Sequence, residues 1–381
     1  MSISTPPGFN QGEMTQEFPH HIPPKLLVAA SGTGGHLFPA IATAEALPDM
    51  AIEWLGVPDR LETKLVPETY PLHTIQVTGF QGKPGLSTLK TLVRLIRAIG
   101  QVRGLLKRGK FDGVFTTGGY IAAPAILAAR SLGLPAILHE SNALPGKVTR
   151  LLSPRCTTVA LGFAAASHYL PRAKTVTVGT PVRSMFLQHP EVLPPLDLPI
   201  PPDVPLLVVI GGSQGAVAVN QLVRQCAPAW IEAGIWIVHL TGENDPDMDT
   251  FSHPHYLALP FFDRMAALLR RATVAVSRAG AGTLTELAIA HLPSILIPYP
   301  YAAEDHQTYN AKIFEAAGAA RLFQQKDLTA DQLQAAVLEL LNPGVLAAAK
   351  TATAQLAVSD SATQLADLIR LTLPVPKTSE L

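Results

Sequence analysis

Two places in the chain carry the same device: an unbroken apolar run that ends in a glycine-rich turn and passes into a helix-like stretch. The first is Lys25-Leu-Leu-Val-Ala-Ala-Ser-Gly-Thr-Gly-Gly-His36, the second Leu206-Leu-Val-Val-Ile-Gly-Gly-Ser-Gln-Gly215. A strand buried on both faces of a parallel sheet reads as a continuous apolar run, and glycine lets the backbone turn sharply and approach a ligand closely. The helix start beyond the turn offers unpaired N–H groups and the positive end of its dipole, so each loop is suited to an anion. Two such units predict an α/β chain with two Rossmann-like, doubly wound domains facing each other across a cleft.

The chain has 381 residues, enough for two or three domains, and 48% hydrophobic against 15% charged residues supports packed cores and excludes a disordered chain. Net charge is zero by count, so only local patches can select a partner, and no nucleic acid is expected. Cys156 and Cys226 are too few for a disulfide framework or a paired-cysteine metal site and read as free thiols in a reducing compartment. Residues 1–24 lack the basic and apolar regions of a signal peptide and read as a loose tail. No apolar run approaches the roughly 20 residues of a spanning helix.

From Leu26 onward, strand and helix patterns alternate, with strands expected at 26–31, 51–55, 74–78, 112–116, 135–138, 157–161 and 175–178. The proline-crowded stretch between Pro190 and Pro205 suits neither a helix nor a central strand and reads as a linker. Alternation resumes at 206–210, 235–240, 255–259, 273–276 and 294–297. The expected domains are 25–185 and 205–355, joined by a linker at 186–204, with a C-terminal segment at 356–381.

Neither glycine loop matches the dinucleotide fingerprint or the P-loop, because Leu37 stands where a last glycine would and no Gly-Lys-Ser/Thr follows. A lone histidine is ordinarily a cap or core residue, but His36 at a glycine loop and helix start reads as a general base or a diphosphate contact. The strand-ending tract His139-Glu140-Ser141-Asn142 lies where open α/β sheets place ligands. Glu140 there is a possible proton acceptor, and Asn142 could bond a sugar hydroxyl. Ser277-Arg278-Ala279-Gly280-Ala281-Gly282-Thr283-Leu284-Thr285-Glu286 repeats the strand, turn and helix device, with Glu286 expected on the first helical turn as a cap or a ribose ligand. The loop from Pro298 through Glu304, Asp305, His306 and Gln307 to Asn310 holds more polar groups than capping needs. Asp245-Pro-Asp247 could suggest a metal site, but its turn-rich setting favours a plain loop, and no obligatory metal or cofactor is expected.

Between Lys83 and Lys110 the chain has eight Lys and Arg and no acid. On a helix, Lys90, Arg94, Arg97 and Arg108 fall on one side, with Leu92, Leu95, Ile96, Ile99, Val102 and Leu106 on the other. A solvated outer helix face accounts for the apolar side, whereas the absence of acids suits an anionic membrane surface. Phe80 sits at the tip of the preceding glycine loop.

Taken in order, Gly-Thr-Gly-Gly-His36, Gly-Gly-Tyr120, His-Glu-Ser-Asn142, Gly-Thr-Pro-Val-Arg183, Gly-Gly-Ser-Gln-Gly215, Ser-Arg-Ala-Gly280 through Glu286, and Asp-His-Gln307 with Asn310 resemble the MurG family of bacterial peptidoglycan N-acetylglucosaminyltransferases. The resemblance runs from about Lys25 to about residue 365, with Ser141 in place of the family's Gln and Thr180 in place of its Asn. It implies a GT-B fold whose C-terminal helix crosses back to the first domain. It also implies inverting transfer of N-acetylglucosamine from UDP-GlcNAc to undecaprenyl-pyrophosphoryl-MurNAc-pentapeptide, in cell-wall synthesis at the cytoplasmic face of the plasma membrane. By the same resemblance Ser213 would meet the diphosphate, Phe262 the uracil through its backbone, Ala281, Gly282, Thr283, Leu284 and Thr285 the phosphate and ribose, and Glu286 the ribose hydroxyls. Arg183, Asn142 and Gln307 would reach the donor across the cleft, and Thr33, Gly34 and Gly35 would line the first-domain wall. His36 is the first choice for the base and Glu140 the second. Other classes consistent with the pattern are a different UDP-sugar enzyme, such as a glycolipid synthase or an epimerase, a nicotinamide oxidoreductase, and a lipid-binding module. The last would leave the polar tracts without purpose.

Overall fold

The computed structural model describes residues 23–77, 86–212 and 215–374, the side chains of 86–89 excepted. Each apolar run forms a strand of a wholly parallel sheet. In the first domain these are β1 (Lys25–Ala29), β2 (Ala51–Gly56), β3 (Leu72–Thr74), β4 (Gly113–Thr116), β5 (Ala136–Glu140), β6 (Thr158–Leu161) and β7 (Thr175–Thr177). Their order is β3-β2-β1-β4-β5-β6-β7. Between them run α1 (Gly34–Glu45), α2 (Glu62–Leu65), α3 (Leu86–Gly109), α4 (Ala122–Ser131) and α5 (Lys147–Leu152).

The second sheet, β10-β9-β8-β11-β12-β13, comprises β8 (Leu206–Ile210), β9 (Trp236–Leu240), β10 (Tyr256–Leu259), β11 (Val274–Ser277), β12 (Ser294–Leu296) and β13 (Ala320–Leu322). It carries α6 (Val217–Glu232), α7 (Met265–Arg271), α8 (Ala281–Ile289), α9 (His306–Ala316), α10 (Ala330–Leu340) and α11 (Pro343–Gln355). Strand order reverses between β1 and β4 in one sheet and between β8 and β11 in the other, and the crevice at the carboxyl ends of strands at such a reversal is where ligands bind.

Apolar side chains cover both faces of each sheet. On one face of the first, Leu27, Val114 and Leu138 meet Val102, Leu106 and Ile126; on the other, Leu26, Val28 and Phe115 meet Leu37, Ala40 and the last helix, α12 (Ser361–Thr372). Leu365, Ala366 and Ile369 of α12 are fully buried there, and Arg370 bonds Asp49 at 2.6 and 2.9 Å. The chain thus returns to the domain in which it began, and Pro23 and Pro374 line the same surface pocket.

Four expectations shift. The third strand lies at Leu72–Thr74 instead of 74–78, because Ile75 and Val77 bury themselves from irregular backbone while the edge strand pairs Leu72 with Trp54. The three-residue β13 was too short to show in the pattern. The chain leaves the first domain before residue 185, since Val182 and Phe186 are packed into the second domain's core. The stretch expected as a linker belongs with that core: Leu193, Leu196, Leu198 and Ile200 pack on it, and Arg271 donates to the Pro201 and Val204 carbonyls at 2.6 and 2.9 Å. The two crossings between domains touch, for a Cβ on Gly179 would lie 2.8 Å from Val358 Cβ.

Among the described side chains of α3 only Ala98, Val102 and Leu106 are fully buried, while Leu92, Val93 and Ile96 are exposed along with Lys90, Arg94, Arg97 and Arg108. The helix has 24 residues against 10 in the neighbouring α4, about 36 Å against about 15 Å. Its first half therefore overhangs its packing partner, and residues expected on a core face meet solvent. Phe80, Lys83 and the rest of 78–85 lie outside the described residues. Among those described, no helix is long and apolar enough to cross a membrane.

Candidate active site

In the first domain, the β1 loop leads to Thr33, the N-cap of α1, and His36 falls in the first helical turn. The ring lies over the loop after β4, where carbons added at Gly118 and Gly119 would sit 3.6 and 3.7 Å from it. Both glycines have positive φ, 96° and 74°, so the ring's seat needs residues without Cβ. His36 Nδ1 is 2.8 Å from the Thr117 carbonyl, and Thr117 Oγ1 returns a bond to the His36 carbonyl at 2.9 Å. A carbonyl only accepts, so Nδ1 carries the proton and Nε2 holds the lone pair of the neutral ring. The N–H groups of Gly34 and Gly35 have no protein acceptor among the described residues.

The tract at the end of β5 is turned inward. His139 is fully buried, bonded to the Gly179 carbonyl at 2.9 Å, and burial depresses its pKa. Glu140 accepts from the Asn142 backbone and side chain at 3.0 and 3.1 Å and from Gly146 N at 3.2 Å. Its carboxylate is thereby occupied as a loop brace. Asn142 is also committed at both ends, since its Oδ1 accepts from Asn310 Nδ2 at 3.1 Å. Asn310 is fully buried between the domains and joins them, accepting from Ala143 N at 2.8 Å and donating to the Ala279 carbonyl at 3.1 Å.

Across the cleft, the turn after β11 enters α8 with Gly280 as N-cap. The N–H groups of Ala281, Gly282 and Thr283 have no protein acceptor among the described residues, and a carbon on Gly282 would meet open space. Leu284 does not share this role: its side chain is fully buried and its N–H bonds the Gly280 carbonyl at 3.0 Å. Thr285 Oγ1 donates back to the Ala281 carbonyl at 3.0 Å. Glu286 is the sixth residue of α8, beyond the first turn, so it cannot serve as a cap. Burial raises its pKa, opposed by Arg183 at 3.2 Å.

Arg183 bridges the two walls. Its guanidinium stacks 4.5 Å from the Phe38 ring of α1 while pairing with Glu286 of α8, and its Nε is buried with no partner among the described residues. Gln307 accepts from Ala279 N at 3.1 Å and Tyr299 N at 2.9 Å, which leaves its amide N–H groups as the end open to a ligand. Phe262 follows β10, its ring against the core. Ser213 lies outside the described residues.

Sequence reading did not single out Arg150, whose guanidinium bonds both Glu304 oxygens at 2.5 and 2.6 Å across the domains. Glu304 and Asp305 hold left-handed φ of 53° and 58° to reach this arrangement. Phe38 and Asn310 carried no signal of their roles beyond their neighbourhoods. Asp245, of the possible metal motif, is instead ion-paired with Arg224 at 2.7 Å and bonded by Asn220 at 2.8 Å. Its burial would raise its pKa, but these bonds hold it below the ordinary range.

Two parallel-sheet domains whose switch points face each other are the architecture of a glycosyltransferase, and the chain belongs to glycosyltransferase family 28, whose N-terminal domain matches residues 26–161 and C-terminal domain residues 206–365. It is 64% identical over 349 residues to the UDP-N-acetylglucosamine--N-acetylmuramyl-(pentapeptide) pyrophosphoryl-undecaprenol N-acetylglucosamine transferase of a Nostoc species, covering 91% of this chain and 98% of the relative. The enzyme of the same name from Gloeothece citriformis is 63% identical, covering 91% and 96%. The crystal structure of Acinetobacter baumannii MurG matches with a TM-score of 0.74 at 30% identity, covering 92% of this chain and all of that one. The glycosyltransferase of kitacinnamycin, at 17% identity and a TM-score of 0.73 over 93% of this chain and all of its own, shares the fold. The GT-B architecture and the MurG family expected from the ordered motifs are both met.

Proposed function

We infer that the chain performs the reaction for which its relatives are named. It moves N-acetylglucosamine from UDP-GlcNAc to the muramoyl C4 hydroxyl of undecaprenyl-pyrophosphoryl-MurNAc-pentapeptide, with inversion at the anomeric carbon. One observation carries the assignment of roles: His36 is held by Thr117 with its basic Nε2 free, at the switch point of the first sheet. There it takes the acceptor proton as the hydroxyl attacks. The departing diphosphate is stabilised by the N–H groups at the start of α8 and by Ser213, a task that fixed donors perform without a metal. Glu286 exchanges the guanidinium of Arg183 for the ribose hydroxyls, and the freed Arg183, with its unpartnered Nε, turns to a phosphate oxygen. Gln307 offers its amide to the sugar, Phe262 its backbone to the uracil, and Asn142 serves chiefly to join the domains.

The polyprenyl acceptor requires a membrane surface. The overhanging half of α3 fits one, with Leu92, Val93 and Ile96 exposed beside Lys90, Arg94 and Arg97, because anionic lipid attracts the cations while apolar side chains enter the interface. The test is incubation with UDP-GlcNAc and a polyprenyl-pyrophosphoryl-muramoyl acceptor, with and without chelator, following UDP release and disaccharide. Formation of the disaccharide in chelator is the expected result. UDP release without it, or a requirement for added metal, would reverse the reading.

A further inference from the structure

Glu62 is a buried carboxylate that no step above uses. It opens α2 and is 0% exposed, a placement that is costly for a charge unless it is hydrogen-bonded. Its oxygens are divided between two backbone donors: Val57 N at 2.7 Å and Gly32 N at 3.3 Å. Val57 lies in the same turn, whereas Gly32 belongs to the loop after β1 that leads to Thr33 and His36. A brace for the turn alone would need only the first bond. Gly32 has φ +107°, a conformation that side-chain-bearing residues rarely adopt, so the loop's course depends on it. Two more features of β2 serve the same contact. Trp54 Nε1 donates to the Ala30 carbonyl at 2.9 Å, and Gly56 leaves room for Glu62, since a Cβ there would lie 2.7 Å from Glu62 Cγ. With the Gly32 N–H taken by Glu62, those of Gly34 and Gly35 at the start of α1 keep no protein acceptor among the described residues.

We propose that Glu62 is a positioning residue of the transfer reaction: through Gly32 it sets where the α1 start and His36 stand relative to the acceptor. The inference rests on the reading that this loop faces the acceptor. Glu62→Gln keeps the volume and the bond from Val57 but turns an amide N–H toward the Gly32 N–H. Gly56→Ala keeps the charge and crowds its stem. Expected for Glu62→Gln is a fall of about tenfold or more in kcat/KM for the acceptor, with calorimetric UDP affinity close to the parent's and a thermal midpoint that, though lowered, stays above the assay temperature. Gly56→Ala should show the same split. Parental acceptor kinetics in Glu62→Gln would reduce the residue to a turn brace, and joint loss of UDP binding and activity in both variants would make it a folding residue; either overturns the proposal. His36→Ala measured alongside separates the two levels. Unchanged kcat there removes the reading of the loop, whereas its loss beside an unaffected Glu62→Gln removes only the present inference.

Discussion

One hydrogen bond, from His36 Nδ1 to the Thr117 carbonyl, decides which nitrogen can act as a base. His36→Ala should therefore lower kcat by roughly 10²–10⁴-fold and leave calorimetric UDP affinity nearly intact. Loss of donor binding instead would make it a donor ligand. Glu286→Ala should weaken UDP by about 1.5–3 kcal/mol, the ordinary worth of a hydrogen bond to a charged group. Burial, partly offset by Arg183, raises the pKa of this carboxyl, so donor affinity should drop as pH falls through that raised value. The linkage to folding has the opposite sense, because a proton held more tightly in the folded chain favours folding at low pH and ceases to as pH rises. UDP titrations and melting curves as a function of pH would show both trends. At this scale the helix-start histidine and the α8 turn were legible in the sequence, since glycine and polar types mark them. What misled was direction. Asn142 and Glu140 are polar and near the cleft, yet they satisfy each other, and Leu284 sits in the right turn with its side chain pointing into the core. Glu62 gave no signal, because a carboxylate in a polar turn looks like any solvated one until its burial is seen.

Among the elements, the strands announced themselves where they are central, buried on both faces and apolar throughout. Of the four edge strands, β7 and β10 were legible and β3 and β13 were not, because those two are three residues long and half exposed, too short to show a pattern. Helix α3 was legible as amphipathic, but its packing was not: periodicity gives a face, and only the shortness of α4 leaves half of that face bare. Reversing Lys90, Arg94, Arg97 and Arg108 to Glu should abolish co-sedimentation with anionic vesicles, at about 1 kcal/mol per cation, with UDP affinity held. Replacing Leu92, Val93 and Ile96 by Ser should weaken the same binding in high salt, where charge is screened. Parental sedimentation by both variants would leave α3 as a domain helix only.

For the whole molecule, the returning α12 packs the last described helix against β1. Ile369 is fully buried against that domain, so Ile369→Ala should cost about 2–5 kcal/mol. Thermal or denaturant unfolding followed by a first-domain probe such as Trp54 would register it; an unshifted midpoint would mean that α12 is only loosely docked. The Arg183–Glu286 pair lies within the second domain and reaches the first through the stack of Arg183 on Phe38, while Arg150–Glu304, Asn142–Asn310 and Ala143–Asn310 join the domains directly among the described residues. The Arg183–Glu286 pair uses the very side chains assigned to the donor, so substrate must compete with the protein's own partner for each of them. What makes that competition affordable is the contact of Gly179 with Val358, where the outgoing and returning segments lie side by side. Two tethers meeting at one place act as a pivot and not as a leash: they hold the domains together at that point whichever bridge opens. A bridge that lets go thus keeps its partner at a high effective concentration, and can close again on the product's departure without a search.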